Sequence, residues 1–172
     1  MSRVAMRTAV AEFFAQASLQ FVGQVYSARP EVLSEQAYEA NRMGEAVASD
    51  NGSSAVLVVG IPSDDRMRRA DTGRGAVNDS HIYRIAMEVF FASTGGDAVA
   101  AQNDYDTVVD QMVNLIRSNA TLNASATVWS AGEYEQGVQH QQGEPYTDAD
   151  GLTVFIPGVV KFEAWEWVAG NV

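Results

Sequence analysis

Cysteine is missing from this chain of 172 residues. That excludes disulfides, thiol nucleophiles and cysteine-ligated metals, so packing alone must hold the fold. A thiol-free chain fits a reducing compartment. Histidine occurs only at His81 and His140. An imidazole metal site needs several converging ligands, so both are read as plain surface residues and no metal or cofactor is expected. Long apolar runs are also missing, and no stretch approaches the ~20 residues that cross a bilayer. The opening "MSRVAMRTAVAEFFAQA" is broken by Arg3, Arg7 and Glu12. It therefore lacks the apolar core of a signal peptide, and no membrane partner is expected.

Positive charge is scarce. Lys161 is the single lysine, the net charge is -11 and the pI is about 4.4. Sequence-independent nucleic-acid binding needs many cations on phosphate, so it is excluded as the main activity. The deficit is uneven. Residues 1–80 hold 8 Arg against 10 Asp/Glu, whereas residues 81–172 hold 3 Lys/Arg against 12 Asp/Glu. Hydrophobic residues make up 47% and charged residues 19%, a globular composition that suits one domain spanning 1–172.

The residues that are present mark a clear order of elements. Ser2 can cap a helix over about 3–18, where Val4, Met6, Val10, Phe13, Phe14 and Ala17 fall near a helical stripe. A short extended piece follows in "LQFVGQVYSARP". The segment "EVLSEQAYEANRMGEAVASDNGSS" shows no regular period. "AVLVVGIP" is a β-branched buried strand that its Gly–x–Pro is expected to end. Ser63–Ser80 then forms a long polar loop with Arg66, Arg68, Arg69 and Arg74.

"HIYRIAMEVFFAS" alternates, with Tyr83, Ile85, Met87, Val89 and Phe91 on one face and Arg84, Ala86 and Glu88 on the other. A helix over about 98–118 carries Tyr105, Val108, Val109, Met112, Leu115 and Ile116 on one stripe. Asp104, Asp106, Asp110 and Asn114 fall opposite. "ATVWSAG" is a further strand, followed by a second polar loop, "EYEQGVQHQQGEPYTDADG", with acids but no Lys or Arg. "LTVFIPGVVKFEAWEWV" closes the chain as a long strand with a bulge or bend at Pro157–Gly158. Val160, Phe162, Ala164 and Val168 share one of its faces, and Lys161, Glu163, Trp165 and Trp167 the other. The fold class is α+β: a single mostly antiparallel sheet with an N-terminal helix and a second amphipathic helix packed on it, and long inter-strand loops.

No stretch carries catalytic chemistry. "DADG" at Asp148–Gly151 has its glycine fourth rather than sixth, so it fails as a calcium loop and reads as a turn. "GRG" at Gly73–Gly75 lacks the lysine and helix of a phosphate loop. No serine sits in a G-x-S-x-G elbow. The chain is therefore expected not to be an enzyme.

The charged loops invite another reading. Arg66, Arg68, Arg69 and Arg74 form a basic island in an acidic chain, and Glu133, Glu135, Glu144, Asp148 and Asp150 form an acidic surface. Joined between copies, two different patches give a head-to-tail contact that can close a ring. Trp165 and Trp167 on the mixed face add an aromatic interface candidate. The plain alternatives are a solvated hairpin for the arginines and a covered sheet face for the tryptophans.

The succession "VAMRTAVAEFFAQA", "GQVYSARP", "AVLVVGIP", "HIYRIAMEVFFAST", "DYDTVVDQMVNLIRS" and "VFIPGVVKFEAWEW" resembles the tail terminator (tail completion) proteins of long-tailed bacteriophages. The resemblance covers most of the chain and lies in architecture and order. It implies a structural virion protein at the tail–neck junction, assembled in the host cytoplasm. A homohexameric ring would cap the tail tube, end its growth and meet the head-closure or connector protein. It also implies transient passage of DNA through the ring without sequence-specific binding. Asp104, Asp106 and Asp110 are then candidates to line the lumen, where acidity would repel phosphate. Two other readings stand beside it: another neck protein (head-closure or connector-adaptor), and an acidic small-molecule enzyme or binding domain.

Overall fold

The computed structural model describes residues 2–28, 52–70, 77–95, 97–119, 121, 128–131 and 137–169. Along 65–70, 77–80, 128–131 and 167–169 the description is of the backbone. The elements are α1 (Arg3–Gln16), β1 (Val22–Tyr26), β2 (Ser53–Ala70), β3 (Val77–Thr94), α2 (Ala98–Ser118), β4 (Val128–Ala131), β5 (Gln139–Gln142), β6 (Tyr146–Thr147) and β7 (Thr153–Ala169). The strands make one seven-stranded sheet in the order β1-β2-β3-β7-β4, with β5 and β6 also on β7. Among the described residues, only the β1–β2 pairing is parallel. This is the expected α+β architecture.

Both helices form where capping and periodicity place them. The Ser2 hydroxyl accepts from the Ala5 amide at 3.2 Å and starts α1. The Asp97 carboxylate accepts from the Val99 and Ala100 amides and starts α2. Arg117 lies in the last turn of α2, where a cation suits the helix dipole. From α2, Tyr105, Val108, Val109, Met112 and Ile116 are buried, while Leu115 is only partly covered. From α1, Met6, Val10, Phe13 and Phe14 are buried. These side chains meet one sheet face built of Ala55, Leu57 and Val59, of Tyr83 to Phe91 at alternate positions, and of Val154, Ile156, Val160, Phe162 and Ala164.

The strands are longer than the sequence pattern suggests. Within Ser63–Ser80, expected as a loop, Ser63–Ala70 and Val77–Ser80 are strand, paired from Ser63↔Arg84 to Ala70↔Val77, and 71–76 lie outside the described residues. Pro62 does not end β2, because the ladder shifts between Gly60 and Ser63. Ile61 and Pro62 together face Ile85, a β-bulge that absorbs a residue with no N–H to donate. The expected bulge at Pro157–Gly158 does not occur against β3. There the register runs unbroken through Phe90↔Pro157 and Val89↔Gly158.

The Pro157 carbonyl instead points outward and accepts from the Gly143 amide at 2.8 Å. In an antiparallel strand a residue's N–H and C=O face the same neighbour. The missing N–H of Pro157 therefore falls in the gap between β5 and β6. Of Glu133–Gly151, expected as a loop, the described part supplies that broken outer strand: β5 lies against Gly158–Lys161 and β6 against Val154–Phe155.

Candidate functional site

Two regions bring polar residues together, and neither was foreseen. The first lies within the sheet, on its covered face. His81 Nε2 is 2.7 Å from Asp64 Oδ2, and His81 Nδ1 is 2.8 Å from the Tyr83 hydroxyl. The Tyr83 hydroxyl donates to Glu166 Oε2 at 3.0 Å. Arg3 closes the row, with Nε 3.3 Å from Asp64 Oδ1 and its guanidinium donating to the Ile61 carbonyl. His81 is thus not a plain surface residue.

The bulge makes this cluster possible. Strict alternation from Leu57, Val59 and Ile61 would turn Asp64 outward; the extra residue at Ile61–Pro62 sets it opposite Tyr83, on the covered face. The row spans β2, β3 and β7. Tyr83 is 0% exposed, Glu166 2% and His81 7%, so the row is buried. The arrangement ties three strands together.

One sequence signal could have found it. Glu166 continues the series Phe162, Ala164 on the apolar face of β7. A carboxylate there has to be paired, since burying it alone is costly.

A second polar pair joins α2 to the outer strand. The Tyr105 hydroxyl is 2.7 Å from His140 Nε2 on exposed β5. Burial, helped by the neighbouring Asp106 charge, pushes the Tyr105 phenol up to about 12. Gly158 permits this packing, because a Cβ there would stand 1.9 Å from the Tyr105 hydroxyl.

The expected site residues separate into groups. Arg66, Arg68 and Arg69 lie on β2, opposite His81, Asp79 and Asn78. Arg74, Glu133 and Glu135 fall outside the described residues. Glu144 and Asp150 are exposed, and Asp148 closes the β6–β7 turn. Its carboxylate accepts from the Leu152 and Thr153 amides, and the Thr153 bond first of all holds it below the usual carboxylate range. "DADG" is therefore a turn, as expected.

Trp165 is half-buried, opposite Ile82 on one side and Ser130 on the other. Trp167 stands opposite Ser80, and its side chain is outside the description. Asp106 and Asp110 are exposed on α2. Asp104 departs from them: it accepts from the Ser53 hydroxyl at 2.7 Å, and Ser53 bonds Ser93 at 2.9 Å. The helix carries it over the end of β2 instead of into solvent.

No protein-family model matches the chain, and no curated protein matches it. Among solved structures it is similar to a chain of the virion of a native gene transfer agent particle. That alignment covers 94% of this chain and 91% of the other at 14% identity, with a TM-score of 0.33.

Proposed function

We propose that this chain is a structural virion protein, a tail terminator that closes a ring on the end of a tail tube and meets the head connector. The observation that supports this reading is the length of the sheet relative to its helices. Strands β2 and β3 have 18 residues each, and β7 has 17. At about 3.3 Å per residue they run roughly 55–60 Å, against roughly 20 Å for α1 and 30 Å for α2 at 1.5 Å per residue.

Helix α1 starts beside Ile61 and Asp64, while α2 meets Ser53, Phe91 and the Gly158 region. The β2–β3 ribbon thus continues past the start of α1 and carries Arg66, Arg68 and Arg69 at set register positions. A stiff sheet that projects charge in fixed places suits a protein whose work is to match one surface and refuse another.

In such a ring, Asp106 and Asp110 remain candidates for the lumen, where their charge would keep passing DNA from sticking. The ring would act by fit rather than by catalysis. Electron micrographs of the purified protein should show closed rings, expected as hexamers. Added to polymerising tail tubes, the protein should end them at one tip. A solitary chain that binds neither tube tips nor head connectors would overturn the proposal. Rings that bind DNA-filled heads and ignore tubes would favour a head-closure role.

A further inference from the structure

The sheet has two margins, and among the described residues each is open along part of its length. β1 covers β2 only from Ala55 to Val58, and Arg3 occupies the Ile61 carbonyl. Along 65–70, β2 has β3 on one side and no strand on the other among the described residues. An edge of this kind presents outward N–H and C=O groups that can template another strand. The opposite margin is made of β4, β5 and β6, all paired with β7, and the side chains of β5 and β6 are exposed throughout.

The two margins differ in charge. The open stretch Asp65–Ala70 carries Arg66, Arg68 and Arg69 against one acid, Asp65. The far margin, Gln139–Leu152, carries Glu144, Asp148 and Asp150 and no Lys or Arg. Their directions are also compatible. β2 is antiparallel to β3, β3 to β7, and β7 to both β5 and β6. β5 and β6 therefore run opposite to β2. β5 and β6 lie level with Ser53–Gly60, so a second copy in the same orientation, slid along the strand axis, sets its β5–β6 margin antiparallel to the 65–70 stretch of β2.

We infer that the 65–70 edge of β2 pairs with the β5–β6 margin of a second copy of this chain, so that one sheet continues across the contact. A two-fold pairing of β2 with β2 would instead bring arginines against arginines, and like charges across strands repel. Because the joined margins are different surfaces, the contact repeats head to tail and closes when the rotation permits. The inference rests on the proposed self-assembly and adds which edges meet.

A chain without cysteine makes the test clean. Neighbouring antiparallel strands hold Cα atoms ≈ 4.5–5.5 Å apart, inside the ≈ 4.4–6.8 Å range of disulfides. Arg68→Cys and Arg69→Cys sample the two faces of the edge. Each is combined in one chain with Gln139→Cys, Gln141→Cys or Thr147→Cys. Each double variant is oxidised at a concentration where light scattering shows assembly, then run on a denaturing gel without reductant.

At least one combination should give a ladder of dimers and higher covalent oligomers, while each single variant stays at monomer size. Dimers from Arg68→Cys or Arg69→Cys alone would overturn the inference in favour of a two-fold edge. Assembled particles that give no ladder from any combination would also overturn it, yet leave the ring intact. Scattering that shows only monomers at every concentration would remove both.

Discussion

Gly158 and Tyr105 show how much one side chain can decide. A Cβ at Gly158 would fall 1.9 Å from the Tyr105 hydroxyl and 3.1 Å from its ring carbon. Tyr105 cannot step aside, because its ring packs edge-on to Phe91 and its hydroxyl bonds His140. Gly158→Ala should therefore destabilise the fold by about 1–3 kcal/mol, the usual range for overpacking. Adding Tyr105→Phe should recover part of the loss; chemical denaturation of the single and double variants measures both.

The same tyrosine sets an alkaline limit. Its phenol ionises near pH 10 when the chain is unfolded and near 12 when folded. Between those values the unfolded state releases the proton first, so stability falls as pH rises from about 10 to 12. Tyr105→Phe should flatten that stretch of the stability–pH curve, leaving the other tyrosines' share. None of this was legible in the sequence. Tyr105 reads correctly as a core position of an amphipathic helix, but a glycine in β7 gives no sign of which ring lies over it.

Helices and strands differ in how far their sequences foretold them. Local rules set α1 and α2, and both form almost residue for residue where the caps and stripes place them. The long strands depend on partners distant in the chain. Ser63–Ala70 is polar and includes two acids and three arginines, so its own residues argue for a loop. Pairing with β3 from Ser63↔Arg84 to Ala70↔Val77 overrides that tendency, since strand preference follows context more than residue type.

The buried cluster follows from the same pairing. It needs Asp64 turned inward by a bulge, and bulges leave only a faint mark in sequence, here a proline after Ile61. Within it the Tyr83 hydroxyl links His81 on its own strand to Glu166 on β7. Tyr83→Phe keeps the ring and deletes both bonds, leaving two buried polar groups each short of a partner. A loss of about 1–3 kcal/mol is expected, the cost of under-satisfied buried polar groups. Hydrogen exchange should show faster opening at Glu166 and its β3 partner His81 than at the distant Val154 and Ser93 pair. Uniform loosening of the whole sheet would argue against a local pin.

At the scale of the whole molecule, charge would both oppose and direct the proposed assembly. Each copy carries -11, so copies repel on average and only local complementarity can bring them together. Changing Arg66, Arg68, Arg69 and Arg74 to alanine removes the basic island and takes the net charge from -11 to -15. Association should weaken, most of all at low salt. The screening length is about 10 Å at 0.1 M and shrinks to about 3 Å at 1 M, where the variant should approach the parent protein.

Greater overall repulsion would produce the same trend, so a matched control is needed. Ala15→Glu, Gln16→Glu, Asn103→Asp and Asn114→Asp add four negative charges at exposed helix positions and also give -15. If the basic island directs assembly, sedimentation at low salt should show the arginine variant dissociating at higher protein concentration than this control. If the two variants dissociate alike, charge acts only in bulk and the island has no directing role.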